Sequence, residues 1–355
     1  MKVSVMLTLV LGCTGCVSST LAFYVRADRS AAAIIRSHVL TDGIAAADGN
    51  DEPTPQSAVR PPQARGAQAP PDTEIYLASL AQEGSGIHIG SPVDITNNPG
   101  YDNQPFFTPD GRAILFTSMR DGKQTDIYRY SLAAKRTVLI AGTPESEYSP
   151  TITPAGMLSV VRVELDGHNT QRLWQFKPDG TNPRVVFEDV KPVGYYAWAD
   201  DHTLAFFILG AGRAPATLQL ADTLTEKARV VATDIGRSIQ RVPGTGPVPH
   251  ISFVQRKRVS DFIYWTVEQV DPGSGEVQPL APPVKADGPD MDTAWTSAGI
   301  LLSSHHDAIY AWRRGDTAWN PVVSGQQLGL AHLSRIAVSP DGKWIALVAD
   351  PPRAR

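Results

Sequence analysis

A tandem repeat with a period of about 45 residues constrains the fold of this chain more than any other feature. Its clearest copy spans Gln104 to Leu132, where a turn at Pro109-Asp110-Gly111 separates two short apolar stretches. A second polar turn leads to a third stretch, DIYRYSL, which begins at Asp126. β-Branched and aromatic residues dominate these stretches, as is typical of strands. Several antiparallel strands in a unit of this length predict the blade of a β-propeller.

The first turn of the unit recurs at six places along the chain. These are Pro109-Asp110-Gly111, Pro154-Ala155-Gly156, Asp200-Asp201, Pro243-Gly244-Thr245-Gly246, Ser297-Ala298-Gly299 and Pro340-Asp341-Gly342. Each turn is followed by an apolar stretch, and five of these lead into another strand-like stretch. The fourth unit is longer than the others, and we expect its additional residues to form an insertion around 273–289, where Pro and Gly are dense. The pattern predicts an all-β fold of six units; a β-solenoid or a pair of sandwiches is the alternative.

The sixth unit is incomplete at its C-terminal end, and strands near the N-terminus match the missing ones. TEIYLASL (Thr73–Leu80) has the form of a third strand, and SPVDIT (Ser91–Thr96) that of a fourth. An open ring of sheets would leave unpaired backbone at both ends, whereas one shared blade closes it. We therefore predict a six-bladed β-propeller over residues 73–350, with the last blade shared between N- and C-terminal strands and a short tail at 351–355.

Two of the repeats carry a family resemblance. PFFTPDGRAILFTSMRDGKQTDIY, from Pro105, and VSPDGKWIAL, from Val338, resemble the Pro-Asp-Gly repeats of the TolB family of periplasmic propellers. The resemblance covers about residues 73–350 and implies a six-bladed propeller in the cell envelope with a role in protein interaction. The family's separate α/β domain is not matched, because the region 26–72 is low in complexity. Propellers of prolyl-oligopeptidase-like peptidases and of oligogalacturonate lyases carry similar repeats, so the match identifies a scaffold rather than a chemistry.

The N-terminal segment has the features of a lipoprotein signal peptide. Met1-Lys2 precedes an apolar run, and Val10-Leu11-Gly12-Cys13 resembles a lipobox. We predict a signal peptide at 1–12 and lipidation at Cys13, with cleavage near Ala22 or an uncleaved anchor as alternatives. Residues 13–72 are rich in Ala, Pro and Gln and are predicted to be a disordered tether. The expected location is the periplasm, on a lipid anchor, with a soluble periplasmic or secreted protein as the alternative.

Composition narrows the classes of partner. Charged residues make up 19% of the chain and its formal net charge is −4. This composition argues against a nucleic-acid partner, because binding to phosphates needs an excess of basic residues. The two cysteines, Cys13 and Cys16, both precede the repeats, so the propeller is expected to lack a disulfide. We expect a monomer that meets the membrane only through its anchor.

The loops that lead into the inner strands should surround one mouth of the central channel. Polar and aromatic residues on rigid loops are a common way to build a binding surface. The candidates for binding are Asp102, Asn103, Glu147, Tyr148, Tyr196, Arg237, Asp290, Asp292 and Arg335.

No catalytic pattern stands out beside these residues. His305-His306-Asp307 could suggest a metal, but neighbouring side chains on a strand point to opposite faces. The chain contains no G-x-S-x-G motif and no dinucleotide-binding or Walker-type glycine motif. We predict no catalytic residue, no metal and no cofactor, and a non-catalytic scaffold that binds an envelope protein or peptide. A polysaccharide lyase or hydrolase acting at the channel is the alternative.

Overall fold

The computed structural model describes residues 70–84, 86–120, 122–288 and 290–351. The predicted signal peptide, the lipidation site Cys13, residues 13–69 of the predicted tether and residues 352–355 of the predicted tail lie outside these ranges. Within them, no helix is both long enough and apolar enough to cross a membrane.

The described residues form 25 strands and one short helix. The first eleven strands are β1 (Glu74–Glu83), β2 (Gly86–Ile89), β3 (Val93–Asp94), β4 (Asp102–Phe107), β5 (Ala113–Ser118), β6 (Asp126–Ser131), β7 (Arg136–Ala141), β8 (Ser146–Ile152), β9 (Leu158–Val163), β10 (Gln171–Phe176) and β11 (Arg184–Val185). The next eight are β12 (Val193–Trp198), β13 (Thr203–Ile208), β14 (Thr217–Asp222), β15 (Lys227–Thr233), β16 (Ile235–Arg241), β17 (Ile251–Val259), β18 (Phe262–Val270) and β19 (Val277–Lys285). The remaining elements are β20 (Asp292–Trp295), β21 (Leu301–His305), β22 (Ala308–Trp312), β23 (Asn320–Ser324), α1 (Gly325–Leu328), β24 (Arg335–Val338) and β25 (Trp344–Ala349).

The strands assemble into six antiparallel sheets, which are the six blades of a β-propeller. Blades 1 to 5 are the four-stranded sheets β4–β7, β8–β11, β12–β15, β16–β19 and β20–β23. Blade 6 contains β24, β25 and β1, and both β2 and β3 pair with β1. The predicted all-β, six-bladed fold is confirmed.

The ring closes within blade 6. β1 pairs with β25 from Glu74 opposite Ala349 to Ser79 opposite Trp344, so an N-terminal strand joins C-terminal strands in one sheet, as predicted. The predicted fourth strand at 91–96 is shorter, because only Val93–Asp94 pair with β1. Asp94 Oδ1 accepts hydrogen bonds from the backbone N–H groups of Thr96 and Asn97, and this turns the chain away from the sheet.

The Pro-Asp-Gly turns join the first and second strands of their blades. Gly111 and Gly342 have φ of 67° and 69°, a left-handed conformation that glycine adopts without a Cβ penalty. Asp110 Oδ1 accepts from Thr108 Oγ1 and the Arg112 N–H, and Asp341 Oδ1 accepts from Ser339 Oγ and the Lys343 N–H. These hydrogen bonds lower the pKa of both aspartates. The polar groups that the two turns share are therefore used for folding.

The core lies between neighbouring blades. Every residue of β5 is buried, because both faces of this strand pack against adjacent sheets. One cluster joins blades 6 and 1 and includes Ile75, Phe107, Phe116 and Val348. Central strands covered on both faces read as continuous apolar runs, which is the pattern seen after each turn in the sequence.

Blade 4 differs from the sequence expectation. The Pro-rich segment that we expected to be an insertion is largely a strand, since β19 spans Val277–Lys285 and pairs with β18. The strands β17, β18 and β19 have nine residues each, so the additional length extends the blade. As the outermost strand, β19 tolerates prolines because its free edge needs no N–H donors.

Candidate binding site in the central channel

The inner strands of the six blades surround a cavity of about 590 Å³. The strands β4, β8, β12, β16, β20 and β24 all contribute to its wall. Its volume falls within the range of roughly 300–1,000 Å³ that small-ligand sites occupy. We call the end at which the inner strands begin the start face, and the end that carries the Pro-Asp-Gly turns the turn face.

The cavity wall is positively charged. Among the described residues, three arginines line it, Arg237, Arg241 and Arg335, against one carboxylate, Asp292. The whole chain carries a net charge of −4, so the wall has the opposite sign to the protein as a whole. Charges that face a narrow, low-dielectric space are screened less than charges in bulk water. The cavity is therefore suited to an anionic group.

Several aromatic residues belong to the wall, and hydrogen bonds hold three of their side chains in place. The Tyr196 hydroxyl donates to the Ser159 carbonyl oxygen at 2.6 Å, and Trp198 Nε1 donates to Ser159 Oγ at 3.1 Å. Trp295 Nε1 donates to Ser252 Oγ at 2.9 Å. Burial raises the pKa of Tyr196, so this hydroxyl stays protonated. Rigid rings of this kind give a ligand apolar contact at little entropic cost.

An arginine and a tyrosine from opposite sides of the ring meet across the channel near the start face. Arg335 Nη2 donates to the Tyr195 hydroxyl at 2.7 Å, and its guanidinium lies 4.7 Å from the centre of the Tyr195 ring. Arg335 belongs to blade 6 and Tyr195 to blade 3, so the contact spans the channel. Burial alone would lower the pKa of Arg335, but the nearby Tyr195, Asp292 and Tyr101 raise it, and the group stays charged.

A second arginine and two further tyrosines complete this closure. Arg237 Nη2, from blade 4, donates to the Ser334 carbonyl oxygen at 2.9 Å. Tyr101 and Tyr148 pack edge to face with 6.4 Å between ring centres. Burial raises the pKa of Tyr101, which keeps its hydroxyl neutral. Tyr101, Tyr148 and Ser334 do not line the cavity, so the cavity ends at the level of the two arginines.

The cavity opens at the turn face. Its rim includes the exposed turn residues Pro109, Pro154, Pro243, Ser297 and Pro340. The inner strand β4 has six residues, which corresponds to about 20 Å at 3.3 Å per residue. The cavity is thus a deep pocket with its mouth at the turn face and charged groups at its floor.

Bulges in the inner strands shape the floor. The strand pairing shifts between Asn103 and Phe106 in β4 and between Tyr148 and Thr151 in β8. Gln104 and Ser149 take φ of 58° and 53° there, a left-handed conformation that is costly for residues other than glycine. A proline follows each of them and lies on the strand edge that faces the channel, where no ladder donor is required. Bulges often re-aim side chains beside binding sites.

Two of the predicted binding residues, Asp102 and Asn103, are buried between blades 6 and 1. Asp102 is 0% exposed; its Oδ2 accepts from Asn98 Nδ2 at 3.0 Å, and Arg120 Nη2 lies 3.8 Å from its Oδ1. Burial, only partly offset by these partners, raises the pKa of Asp102. Asn103 Nδ2 donates to Thr73 Oγ1 at 3.3 Å. Both side chains hold the ring together and do not face the channel.

Glu147 occupies a similar buried position in blade 2. It is 0% exposed, and its Oε1 accepts from Arg162 Nε at 3.2 Å. Thr143 Oγ1 donates a short hydrogen bond to the same oxygen. Arg162 in turn lies over the ring of Trp174, 4.3 Å from its centre. Burial outweighs these partners and raises the pKa of Glu147 to about 7.

The structure brings four of the nine predicted binding residues together in the cavity wall. These four are Tyr196, Arg237, Asp292 and Arg335. The other five do not line the cavity: Asp102, Asn103 and Glu147 are buried in hydrogen-bond networks, Tyr148 packs on Tyr101, and Asp290 is exposed.

Sequence reasoning did not select several residues of the wall. Tyr195, Gln104, Arg241 and Trp295 line the cavity but were not among the candidates. Tyr195 lies beside Tyr196 in β12, and its hydroxyl accepts from Arg335 across the channel. Arg241 and Trp295 lie at the far ends of their inner strands, so a search along the whole inner strand, rather than its preceding loop, would have found them.

The histidines of the β21–β22 turn are separate from this site. His305 is buried and stacks on Tyr310 with 4.1 Å between ring centres, and His306 Nε2 lies 2.7 Å from Asp287 Oδ1. Burial lowers the pKa of His305 to about 4. Among the described residues, no group of three or more His, Cys, Asp or Glu side chains is arranged to hold a metal ion.

Comparison with known proteins supports the fold. No family model and no curated protein sequence matches the chain significantly. Among solved structures, a putative TolB from Agrobacterium tumefaciens is similar, with a TM-score of 0.57 and 13% identity over 79% of this chain and 99% of the other. The fold is that of a TolB-like propeller.

Proteins with quite different roles share this architecture. An oligogalacturonate lyase in complex with manganese has a TM-score of 0.51 and 15% identity, over 73% of this chain and 80% of the other. A chain of a nidogen/laminin complex has a TM-score of 0.51 and 14% identity, over 75% and 97%. At such identities the likeness concerns the fold alone, and function must be argued from the site.

Proposed function

We propose that this chain is a non-catalytic, lipid-anchored envelope protein that binds a peptide or a protein segment in the central channel of its propeller. The observation that carries this function is the deep cavity with fixed aromatic side chains, closed at one end by Arg335 and Tyr195. An extended segment of about five or six residues matches the length of the inner strands. The fold is shared with TolB-like propellers, which supports an envelope role by analogy.

A photo-activated cross-linking residue placed at the mouth tests this function. Ser297 is exposed and lines the cavity, whereas Ala298, next to it in the same turn, is exposed and does not. In envelope fractions of the source cells, we expect a discrete adduct with a protein or peptide from position 297 and none from position 298. Mass spectrometry identifies the adduct. Equal adducts from both positions, or no adduct from position 297, would contradict binding in the channel.

The matched pair Ser297→Trp and Ala298→Trp gives a second measurement. An indole at position 297 narrows the mouth, and one at position 298 leaves it open, while both add the same apolar surface. We expect at least a tenfold loss of affinity for the cross-linked partner with Ser297→Trp and less than a twofold change with Ala298→Trp. Mass spectrometry of the mature N-terminus independently tests the proposed lipidation at Cys13.

A polysaccharide lyase or hydrolase is the second candidate, because the basic wall also suits a sugar polymer that carries carboxylates. Arg237, Arg241 and Arg335 could neutralise uronate groups. Incubation with acidic polysaccharides, followed by assays for unsaturated products and for reducing ends, separates the two functions. Turnover that is lost in Ser297→Trp would favour the enzyme, and binding without turnover would favour the peptide-binding protein.

A further inference from the structure

The floor of the channel carries two cations whose charges are only partly compensated. Arg237 and Arg335 come from blades 4 and 6, and among the described residues neither forms an ion pair within 4.0 Å. Their protein partners are neutral oxygens, the Ser334 carbonyl and the Tyr195 hydroxyl. Asp292 carries the one carboxylate among the described residues that line the cavity. Its Oδ2 accepts a hydrogen bond from the Ile336 N–H at 2.9 Å. Two positive charges thus face one negative charge at the closed end.

Two polar atoms at this level are buried without a hydrogen-bond partner among the described residues. They are Arg237 Nε, a donor, and Ser149 Oγ, which can donate or accept. Both residues line the cavity. A buried donor without an acceptor is destabilising, so an anion that accepts from Arg237 would recover part of that cost. The floor is therefore built for a hydrogen-bond acceptor that carries negative charge.

The shape of the pocket restricts which part of a ligand can reach these groups. The mouth is at the turn face, and Arg335 with Tyr195 closes the other end, so a bound chain cannot pass through. A segment that enters in an extended conformation must place its end, or the tip of a side chain, at the floor. For a peptide, the end that carries negative charge is the C-terminal carboxylate, which arginine binds in a bidentate way.

We propose, on the basis of the peptide-binding function above, that the channel binds the free C-terminus of a partner, with its carboxylate between Arg237 and Arg335. The last few residues of the partner lie along the aromatic wall, and the rest of the chain leaves through the turn face. Arg241 lies near the mouth, where its positive charge attracts the approaching C-terminus, but it does not contact the bound carboxylate. The channel therefore binds only partners whose free C-terminus can enter it.

A comparison of free-acid and amidated peptides tests the carboxylate without any change to the protein. Two synthetic pentapeptide pools with the same randomised sequences, one with free C-termini and one with C-terminal amides, are passed over the immobilised protein. We expect the free acids to be retained at least about tenfold better, because the amide removes the charge that the arginines bind. Equal retention of acids and amides would overturn the carboxylate assignment.

Substitutions then locate the site. Arg237→Gln should reduce the preference for acid over amide to about twofold or less. Arg241→Gln is the matched control: it should weaken retention of both pools in low salt and leave the ratio unchanged. Arg335→Gln is a less suitable test because its side chain crosses the core of the channel and the variant could fold poorly. An unchanged ratio in Arg237→Gln would place the carboxylate elsewhere.

The outcomes also separate this inference from the peptide-binding function. If the wild type retains both pools equally and Ser297→Trp abolishes that retention, the channel binds peptides without recognising the C-terminus, and only the inference fails. If peptides with internal Asp or Glu are retained whether amidated or not, the ligand is a side-chain carboxylate, and the terminus assignment is wrong. If retention is absent, or is unaffected by Ser297→Trp, both fail.

Discussion

Single residues on the start face show how one type of side chain serves two roles in this ring. Asp102 and Glu147 are acidic residues at the beginning of inner strands, as is Asp292, but only Asp292 lines the channel. Asp102 and Glu147 point between blades and are held by Arg120 and Arg162. Buried pairs of this kind are costly to break, because removing one partner leaves a buried charge. Charge reversal at Asp102 or Glu147 would therefore report on folding and not on ligand binding.

The raised pKa of Glu147 predicts that stability falls as pH rises. Its pKa increases from an ordinary value of 4.5 to about 7 in the folded state, and that of Glu74 does the same. Between these values the folded chain holds protons that the unfolded chain has released. Stability is therefore highest below pH 4.5 and decreases until about pH 7, as far as these two groups contribute. Each unit of pKa corresponds to about 1.4 kcal/mol, so we expect about 1 to 3 kcal/mol per group.

Urea unfolding at a series of pH values measures this effect. Glu147→Gln should reduce the decrease in the free energy of unfolding between pH 5 and pH 8, because the amide does not titrate. Glu83→Gln is the control, since Glu83 is exposed at the end of β1. An equal slope in Glu147→Gln and the wild type would show that Glu147 titrates normally.

At the level of elements, the turns and the bulges of each blade carry different information. The Pro-Asp-Gly turns have a strong sequence pattern and form the rim of the cavity. The bulges of β4 and β8 have a weak one and shape its floor. A turn pattern depends on local hydrogen bonds, so it is visible in a few residues. A bulge depends on the pairing with the next strand and on neighbouring blades, so a few residues of sequence do not reveal it.

Gly111 provides a test of the turn. Its φ of 67° is strained for residues that have a Cβ, whereas space is not limiting, since a Cβ there would lie 4.0 Å from Pro340 Cδ. Gly111→Ala should lower the free energy of unfolding by about 1 kcal/mol through backbone strain. Gly111→Asn should cost less, because asparagine tolerates the left-handed region. Thermal and urea unfolding compare the three proteins. An equal or larger loss for asparagine would point to crowding and not to backbone conformation.

At the scale of the whole molecule, closure of the ring depends on one strand. β1 fills the place between β25 and the short strands β2 and β3, and Ile75 and Leu80 bury their side chains in two different interblade clusters. Without β1, the edge of β25 would be unpaired and apolar surface from blades 5, 6 and 1 would be exposed. Such edges promote association between chains.

Truncation tests this dependence. A variant that begins at residue 70 keeps every described residue and serves as the reference. A variant that begins at residue 86 should lose its sharp transition or aggregate, because it lacks β1. Addition of a synthetic peptide of residues 70–84 should restore part of the stability if β1 acts through pairing. Identical unfolding curves for the two truncated proteins would mean that the ring is stable without this strand.

Much of the fold could be predicted because its signals are local and repeated. The six turns, the apolar second strands and the third strand at Thr73–Leu80 are all visible along the chain and are confirmed. One exception is the fourth strand at 91–96, of which only Val93–Asp94 pair with β1. Another is the Pro-rich segment around 273–289, where prolines indicated a loop but the outer edge of a blade accepts them. Four of the nine predicted site residues line the cavity, since the inner strands could be placed although the direction of their side chains could not.

The sequence by itself determined the architecture of this protein: the number of blades, the turns that join their strands and the shared blade that closes the ring. The blades and turns follow from residue periodicity, which is visible along the chain, and the shared blade follows from the general need to pair strand edges. Only the tertiary structure decided which end of the channel is open. Arg335 and Tyr195 are 140 residues apart in sequence and meet because blades 3 and 6 lie opposite each other in the ring. No local pattern encodes such a contact, because it depends on how all six blades come together.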